Sequence, residues 1–418
     1  MDGKKRSRRD FIQNITITFL SLLAVVLCVR TQTYGSGLSL SYFSSLGSGT
    51  SAVVAQEESV LSAPVRAAVS GSYGRYGSIT LTTASEKFTP LGSLLSEALR
   101  TARFYTDISE AALLEALDRP SVYCDFLGSL PLSVIGALMG GSGDDSLSAR
   151  CLAVAAEEDG TVALYLWDNG GTCLRCTTAL SLQSLEDVIG QYEQGNAIFA
   201  FDMTESASAA AIRPLSLFLT EPVLPVLEGK AGTVSSGRLL SAMGFNPHTQ
   251  TRWTEAGGTE VIVDGDRTLR LRSDGSFSYQ SGGSSALSIA SAGDTPTLQE
   301  AAAGVSAMLG KLMQGESCLY LTSISRSGDT VTLTYDYHHS GIPIRFADGS
   351  CGAKVTLSGN AVSAVYFTAR QYTAADETAL LLPLRQAMAV AAQVPDRELL
   401  ICYADYGTER VEPQWLSE

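Results

Sequence analysis

The sequence FIQNITITFLSLLAVVLCV, from Phe11 to Val29, contains no charged residue and follows a basic segment at positions 4–9. Its nineteen residues would span about 28 Å as an α-helix, close to the hydrocarbon thickness of a bilayer, which is about 30 Å. This stretch therefore predicts one transmembrane helix. Basic residues beside a membrane helix favour the cytoplasmic side, so we expect the chain from Arg30 onward to fold outside the cytoplasm.

Two other export signals stay open for the same stretch. A cleaved signal peptide has a shorter apolar core followed by small residues, whereas this core continues into Cys28 and Arg30. The segment Ser7 to Gln13 resembles a twin-arginine signal, which would give the same orientation. A lipoprotein signal is excluded because Leu27, not a small residue, precedes Cys28.

One face of the predicted membrane helix carries small or polar side chains within an arc of about 80°. They are Asn14, Thr18, Ser21, Val25 and Cys28. A second helix would offer such groups hydrogen bonds that lipid does not, each contributing about 0.6–2 kcal/mol. Alternatively, the polar side chains bond to their own backbone. We take this transmembrane stripe as the candidate partner-binding site.

The composition predicts a folded, acidic ectodomain. Hydrophobic residues make up 45% of the 418 residues and charged residues only 17%, so the chain can bury the cores of two or three domains. The whole chain carries −14 and residues 1–30 carry +4, which leaves −18 outside the membrane. Such a surface repels nucleic acid and anionic wall polymers, so we expect neither as a ligand.

Helical and strand periodicities predict an α+β ectodomain of helices on antiparallel sheets. Helical spacing at Leu91–Ala102 and Ser109–Leu117 precedes a series of strands, and three prolines within 214–232 indicate a linker. The predicted organisation is a cytoplasmic basic tail at 1–10, the transmembrane helix at 11–29, a Gly/Ser-rich stalk at 30–60, an N-terminal α+β ectodomain at 61–213, the linker at 214–232, a middle helix-meander domain at 233–295 and a C-terminal helix-meander domain at 296–418.

The chain beyond the linker predicts one arrangement twice, a helix followed by an antiparallel meander. The first helix is Ser236–Met243, and the second begins at Thr297, where Glu300 completes a capping box. This second helix carries one apolar stripe, formed by Leu298, Ala302, Val305, Leu309 and Leu312. In Thr330–Tyr337 every second residue from Val331 is apolar, which predicts a strand with one buried face. Near the C-terminus, Ala375–Val394 predicts a helix that is kinked or split at Pro383. The C-terminal part should therefore contain two helix-then-meander repeats.

Seven cysteines follow the membrane helix, and a scattered, odd set is not typical of a disulfide scaffold. We interpret most of them as small buried hydrophobic residues. Cys173 and Cys176 have CxxC spacing, but no second pair and no nearby histidine completes a zinc site. Redox or metal chemistry at this pair is the less favoured alternative.

Other sequence patterns that indicate chemistry are lacking. The chain has no HExxH, SxxK or GxSxG sequence. His338 and His339 stand at a strand end, where exposed turn residues are expected, and Asp264-Gly265-Asp266 predicts a hairpin turn, not a calcium loop. We therefore expect no catalytic residue, no cofactor and no metal ligand, and a protein that is not an enzyme.

Three segments of the chain resemble the YycH/YycI family of bacterial membrane proteins. They are SVYCDFLGSLPLS at Ser121–Ser133, TLRLRSDGSFSY at Thr268–Tyr279, and YADYG at Tyr403–Gly407 together with Pro413–Trp415. The layout is similar too, with a short basic tail, one membrane helix and an extracytoplasmic remainder.

The resemblance implies a single-pass protein of the cell membrane in a Gram-positive-type bacterium, with a cytoplasmic N-terminus and an extracellular domain. Members of this family regulate the WalK (YycG) sensor histidine kinase, part of a two-component system for signal transduction in cell-wall metabolism. The implied regulation acts through protein–protein contacts of membrane helices and ectodomains. The implied partners are this sensor histidine kinase and a paralogous single-pass regulator.

An extracellular binding module is the alternative from a different class. Helix-on-meander units also resemble PepSY-type inhibitory domains, so this module would capture a peptide, a wall fragment or a protease. Such a module would act without its native membrane helix, whereas a kinase regulator needs that helix.

Overall fold

The computed structural model describes residues 63–71, 75–140, 143–203, 208–220, 222–232, 236–246, 248–282, 287–313, 318–394 and 396–417. The described strands form two sheets, and the chain passes from one sheet to the other between Leu219 and Pro225. This mixture of helices and largely antiparallel strands confirms the α+β class.

The first sheet is antiparallel, and its nine described strands follow the order β3-β7-β6-β5-β4-β1-β2-β8-β9. The strands are β1 (Pro64–Ser70), β2 (Tyr76–Thr82), β3 (Arg103–Asp107), β4 (Ser121–Pro131), β5 (Ser148–Ala156), β6 (Val162–Trp167), β7 (Cys173–Thr177), β8 (Ala197–Phe199) and β9 (Leu217–Leu219). The helices of this part are α1 (Thr89–Thr101), α2 (Glu110–Leu117), α3 (Leu132–Leu138) and α4 (Leu182–Ile189).

The second sheet has thirteen described strands, and twelve of them follow the order β11-β12-β13-β14-β19-β18-β16-β17-β21-β22-β10-β20, with β15 paired to β16. The strands are β10 (Pro225–Ala231), β11 (Thr251–Thr254), β12 (Glu260–Asp264), β13 (Arg267–Leu271), β14 (Phe277–Ser281), β15 (Cys318–Ser327), β16 (Thr330–His339), β17 (Ile342–Phe346), β18 (Ala353–Ser358), β19 (Ala361–Phe367), β20 (Arg370–Thr378), β21 (Leu399–Asp405) and β22 (Arg410–Ser417). The helices of this part are α5 (Ser236–Ala242), α6 (Leu298–Gly310) and α7 (Leu384–Ala391).

Both faces of the first sheet are covered, as the side chains of β5 show. Leu152 and Val154 belong to the core that contains α1 and α4, whereas Ala153 and Ala155 belong to the core that contains α2. This alternation follows from the period of two along a strand. The first of these cores continues under the second sheet, where α6 packs on β15 and β16. The part of the chain that forms the first sheet and the part that forms the second sheet are its two halves. They therefore share one hydrophobic core.

Local sequence signals explain α6 and β16. The side chain of Thr297 accepts from the backbone N–H of Glu300 and that of Glu300 accepts from the N–H of Thr297, which confirms the predicted capping box. The predicted apolar stripe is buried: Leu298, Ala302, Val305 and Leu309 lie in α6, and Leu312 follows its end. Every second residue of β16 from Val331 to Tyr337 is likewise buried. Amphipathic periodicity therefore predicted both elements.

The structure differs from the predicted organisation at two places. The segment predicted as a linker, 214–232, contains β9, an edge strand of the first sheet, and β10, which lies between β22 and β20 in the second sheet. The segments predicted as separate middle and C-terminal domains contribute to one sheet, because β14 pairs with β19. Turn-forming residues mark the end of a strand, but they do not reveal which distant strand it joins.

The predicted helix Ala375–Val394 is wrong over its first half. Residues up to Thr378 form β20, which pairs antiparallel with β10, and α7 begins at Leu384 directly after Pro383. The Ala- and Leu-rich composition favours a helix, but pairing with β10 overrides that weak preference.

No described helix has both the length and the apolar character that a membrane span needs. The predicted tail, transmembrane helix and stalk lie outside the described residues.

Candidate functional site

The five residues of the predicted transmembrane stripe, Asn14, Thr18, Ser21, Val25 and Cys28, lie outside the described residues. The candidate site is instead formed by contacts among the described residues.

Cys173 and Cys176 point to opposite faces of β7. Cys173 packs in the core that contains α2, and Cys176 packs in the core that contains α1. Residues three apart on a strand diverge in this way, so the two thiols cannot approach one metal ion or form a disulfide. Burial raises the pKa of Cys173 and raises that of Cys176 to about 12, so both are protonated at neutral pH. Their interpretation as buried hydrophobic residues is confirmed.

His338 is buried, with 4% of its surface exposed, so the prediction of an exposed turn residue was wrong for it. It is paired with Cys318 across β15 and β16, and its ring contacts that of Tyr320 edge-on. Neither ring nitrogen has a hydrogen-bond partner among the described residues. Burial lowers the pKa of His338 to about 4, so the imidazole is neutral at neutral pH.

The segment Asp264-Gly265-Asp266 forms the predicted hairpin turn, between β12 and β13. Asp264 accepts hydrogen bonds from the backbone N–H of Asn246 and the hydroxyl of Thr249 at 3.1 and 2.6 Å. It also pairs with Arg267, which is its cross-strand neighbour. The carboxylate therefore closes the turn and is engaged by neighbours of the chain itself.

Four buried charged residues come together where the two sheets meet. Arg66 on β1 and Asp125 on β4 are directly opposite each other in the first sheet, and Arg150 lies on β5. Glu398 comes from the other half of the chain, directly before β21. We call these four residues the ion cluster. It balances two positive against two negative charges.

Arg150 is the most extensively bonded member of the ion cluster. Its Nη1 and Nη2 donate to Oε2 and Oε1 of Glu398 at 2.6 and 2.8 Å. Its Nε and Nη2 donate to Oδ1 and Oδ2 of Asp125 at 3.0 and 3.1 Å. The Nη2 of Arg66 donates to Oε1 of Glu398 at 2.6 Å and also pairs with Asp125. Each carboxylate is therefore bound by both guanidinium groups.

The ion cluster is charged at neutral pH in spite of its burial. Side-chain exposure ranges from 1% for Asp125 to 12% for Arg66. Burial alone would raise the carboxyl pKa values, but the charges of Arg150 and Arg66 outweigh it and lower the pKa of Asp125 and of Glu398. Burial likewise opposes the two guanidinium charges, but the carboxylates raise the pKa of Arg66 and of Arg150. The four charges stabilise one another.

Asp125 also shapes the bulge that follows it in β4. Its Oδ1 accepts from the backbone N–H of Leu127 at 2.8 Å, and Leu127 has a positive φ of 60°. The register with β5 shifts between Asp125 and Leu130. The bulge brings Gly128 against β15, where a Cβ on Gly128 would lie only 2.3 Å from the carbonyl oxygen of Thr322. A second contact between the halves therefore depends on the same carboxylate.

The position of Glu398 is fixed by the segment that precedes β9. The N–H of Arg213 donates to the carbonyl of Arg397 at 2.8 Å, and the N–H of Leu399 donates to the hydroxyl of Ser216 at 3.3 Å. An apolar cluster that contains Phe218, Met388 and Leu399 packs beside these bonds. Backbone and side-chain contacts therefore hold Glu398 against the first sheet.

A cavity of about 10 Å³ borders the ion cluster, lined in part by Tyr123, Cys151 and Trp167. It has room for about one water molecule. The Oη of Tyr123 lies 3.0 Å from the Sγ of Cys151, and burial raises the pKa of both groups. Neither is therefore ionised at neutral pH as a nucleophile or a base.

In the described part of the chain, no three His, Cys, Asp or Glu side chains come together with the geometry of a metal site. The arrangement at the ion cluster can therefore hold two halves of the protein together, and it leaves no carboxylate open to a ligand.

Sequence reasoning missed the ion cluster, although one signal for it was present. Asp125 is a single charge inside the apolar run Val122–Leu127. A charge in a buried strand is almost always paired, so a partner was to be expected. The identity of the partner could not be predicted, because Arg66 and Arg150 lie 59 and 25 positions away from Asp125 in the sequence.

Comparisons of this chain with protein-family models, with curated proteins and with solved structures find no match. The functional proposal therefore depends on the residues of the chain itself.

Proposed function

We propose that the protein is a non-enzymatic, membrane-anchored extracytoplasmic regulator of a sensor histidine kinase of a two-component system that controls cell-wall metabolism. The observation that carries the proposal is the closed ion cluster. It is a group of strongly perturbed titratable residues of the kind in which catalysis would first be sought, yet its charges satisfy one another beside a cavity of one-water size. Such a site favours contact over turnover.

The ectodomain would then act as one body that positions the membrane helix. The shared core, the ion cluster and the contact of Gly128 with β15 all join its two halves. The transmembrane stripe, Asn14 to Cys28, would pack on a helix of the kinase and bias its on/off equilibrium. Couplings of this kind are typically about 1–3 kcal/mol, which changes activity roughly 5- to 150-fold.

Crosslinking in the native membrane, followed by identification of the captured proteins, tests the partner. The triple variant Asn14→Leu, Thr18→Leu, Ser21→Leu should reduce capture of the kinase and change its output. The matched control is Gln13→Leu with Thr16→Leu, which replaces polar residues off the stripe and should leave both unchanged. Equal capture and signalling for the triple variant and the control would remove the stripe from the mechanism.

Capture of an extracellular ligand is the second candidate, and exposed apolar residues of the ectodomain favour it. Val223, Leu380 and Leu382 are exposed, and a backbone bond from Ala379 to Leu224 at 2.9 Å brings their segments together. Replacing Phe11–Val29 by an unrelated membrane span separates the two functions. A kinase regulator should fail after this exchange, whereas a capture module should keep its activity.

A further inference from the structure

The outer strand of the first sheet, β3, is exposed along its whole length. It pairs with β7 on one side, and no described strand pairs with its other edge. All five residues of β3 are exposed, and two of them are aromatic, with 81% of Phe104 and 45% of Tyr105 accessible. A sheet edge of this kind offers unpaired backbone groups to another strand.

Phe104 combines exposure with an unfavourable backbone conformation. Its φ is 55°, in the left-handed region that bulky residues rarely adopt, and the register with β7 shifts between Arg103 and Thr106. Bulges often protect an edge from association, usually together with Lys or Pro. Here the bulge displays two aromatic rings, and aromatic side chains are enriched at the cores of protein interfaces. The bulge therefore exposes an aromatic surface that is suited to contact with another protein chain.

The charges of β3 are complementary to themselves. The sequence is Arg103-Phe104-Tyr105-Thr106-Asp107. When two copies of this strand lie antiparallel with Tyr105 at the centre, Arg103 of each copy lies opposite Asp107 of the other. Arg103 donates to the carbonyls of Arg100 and Ala102, and neither Arg103 nor Asp107 forms an ion pair with a described residue. A two-fold symmetric contact requires this property, because residue i of one copy must suit residue j of the other.

We propose that two copies of this chain associate side by side through β3, with a two-fold axis at Tyr105. Tyr105 then faces its symmetry mate, and two Arg103–Asp107 ion pairs flank this contact. Phe104 lies at the bulge and stays outside the regular pairing. The other edge with an exposed aromatic residue, β11, lacks this self-complementarity. Its sequence Thr251-Arg252-Trp253-Thr254 has one charge, so an antiparallel pair of two β11 strands places no opposite charge against Arg252.

The association is expected to be weak and transient. Two five-residue edges bury less than the roughly 1,200 Å² at the lower limit of standard interfaces. Anchoring both copies in one membrane would raise their effective concentration. Only this concentrating effect rests on the proposed function; the edge contact itself goes beyond it and does not require a kinase.

Cysteine crosslinking of the full-length chain in its native membrane tests the axis. Residues directly opposite in an antiparallel pair have Cα atoms about 4.5–5.5 Å apart, which suits a disulfide. Tyr105→Cys should therefore form a disulfide-linked dimer on mild oxidation, at least about fivefold above the parent chain and above Trp253→Cys, the matched variant on β11. A yield from Tyr105→Cys no higher than these controls would overturn the proposal.

Charge reversal then tests the symmetry, with Tyr105→Cys as the reporter in every chain. Arg103→Asp and Asp107→Arg alone should each lower the dimer yield about tenfold, because each creates two like-charge pairs. Mixing the two single variants, or combining both changes in one chain, restores opposite charges and should restore the yield. Single variants without effect, or mixtures without recovery, would refute a two-fold contact at β3. Because kinase capture is not read in this assay, its outcome is independent of the proposed function.

Discussion

Two arginine–carboxylate clusters in this protein have nearly the same bond geometry and different surroundings. In the ion cluster, Nη1 and Nη2 of Arg150 reach Glu398 at 2.6 and 2.8 Å. On the surface, Nη1 and Nη2 of Arg410 reach Glu377 at 2.6 and 2.9 Å, and its Nε reaches Glu412 at 2.6 Å. Arg410 and Glu377 are 53% and 59% exposed, whereas Arg150 and Glu398 are 7% and 6% exposed. Distances alone therefore do not distinguish them.

The difference lies in what happens when a partner is lost. Water takes over the hydrogen bonds of an exposed charge, so a surface pair contributes little. A buried charge left alone keeps its desolvation cost, so removing its partner is far more harmful than the net contribution of the pair suggests. The ion cluster therefore fixes which surfaces of the two sheets meet, whereas the Arg410 cluster can open at little cost.

Removing Arg150 should have the largest effect on stability. Arg150→Met leaves Glu398 and Asp125 with one guanidinium between them, and we expect the free energy of unfolding to fall by about 3–5 kcal/mol. Urea denaturation measures this change. The double variant Arg150→Met, Glu398→Leu leaves the balanced pair of Arg66 and Asp125, so it should recover at least about 1 kcal/mol relative to the single variant. If Arg150→Met lowers the free energy of unfolding by less than about 1 kcal/mol, the role assigned to Arg150 is wrong.

His338 extends the comparison to a buried group whose ring nitrogens have no hydrogen-bond partner among the described residues, and it predicts pH dependence. Its folded pKa of about 4 lies below the unfolded value of about 6.5, so below pH 6.5 the unfolded chain binds the additional proton. Stability should therefore fall as the pH is lowered, by about 2 kcal/mol at pH 5 and about 3 kcal/mol near pH 4.

Urea denaturation at pH 7 and pH 5 isolates this contribution. Asp125 and Glu398 have lowered pKa values, so their contribution is complete above the unfolded carboxyl pKa of about 4 and is lost only below it. His338→Phe should abolish the loss between pH 7 and pH 5, while the exposed control His248→Phe should retain it. An unchanged pH profile for His338→Phe would disprove the assignment.

The bulge beside the ion cluster provides a steric test of the same junction. Gly128→Ala places a Cβ 2.3 Å from the carbonyl oxygen of Thr322, so β4 and β15 must separate, at a cost of about 1–3 kcal/mol. Gly237 in α5 is the matched control, because a Cβ there meets no described neighbour within 4 Å. Thermal unfolding should show a lower midpoint for Gly128→Ala and an unchanged or higher one for Gly237→Ala. Equal midpoints would show that the bulge does not join the halves.

The parts of this fold that could be predicted are those that depend on neighbours in sequence. The capping box at Thr297 and the alternation from Val331 to Tyr337 arise within a few residues, and both are found as predicted. The helix predicted for Ala375–Val394 was wrong at its start because the residues up to Thr378 pair with β10, far away in the chain. Local preference gave no indication of that partner.

The candidate site follows the same rule. Asp125 could be recognised as a charge that needs a partner, because it lies within an apolar strand. Arg150 and Glu398, 248 positions apart, could not be connected from the sequence, since their meeting depends on how two sheets pack. The sequence position of His338, at a strand end, indicated exposure, but tertiary packing buries it.

The surface cluster should give the smallest effect, and it completes the comparison. Arg410→Met is the same chemical change as Arg150→Met, made at a site of equivalent hydrogen-bond geometry. Because water replaces the lost partner of Glu377 and Glu412, the shift in urea midpoint should be less than about a fifth of that for Arg150→Met. Salt at 1 M should reduce the shift further, since it screens exposed charges, while the Arg150→Met effect should persist. Comparable shifts for the two variants would mean that burial does not set the importance of the ion cluster.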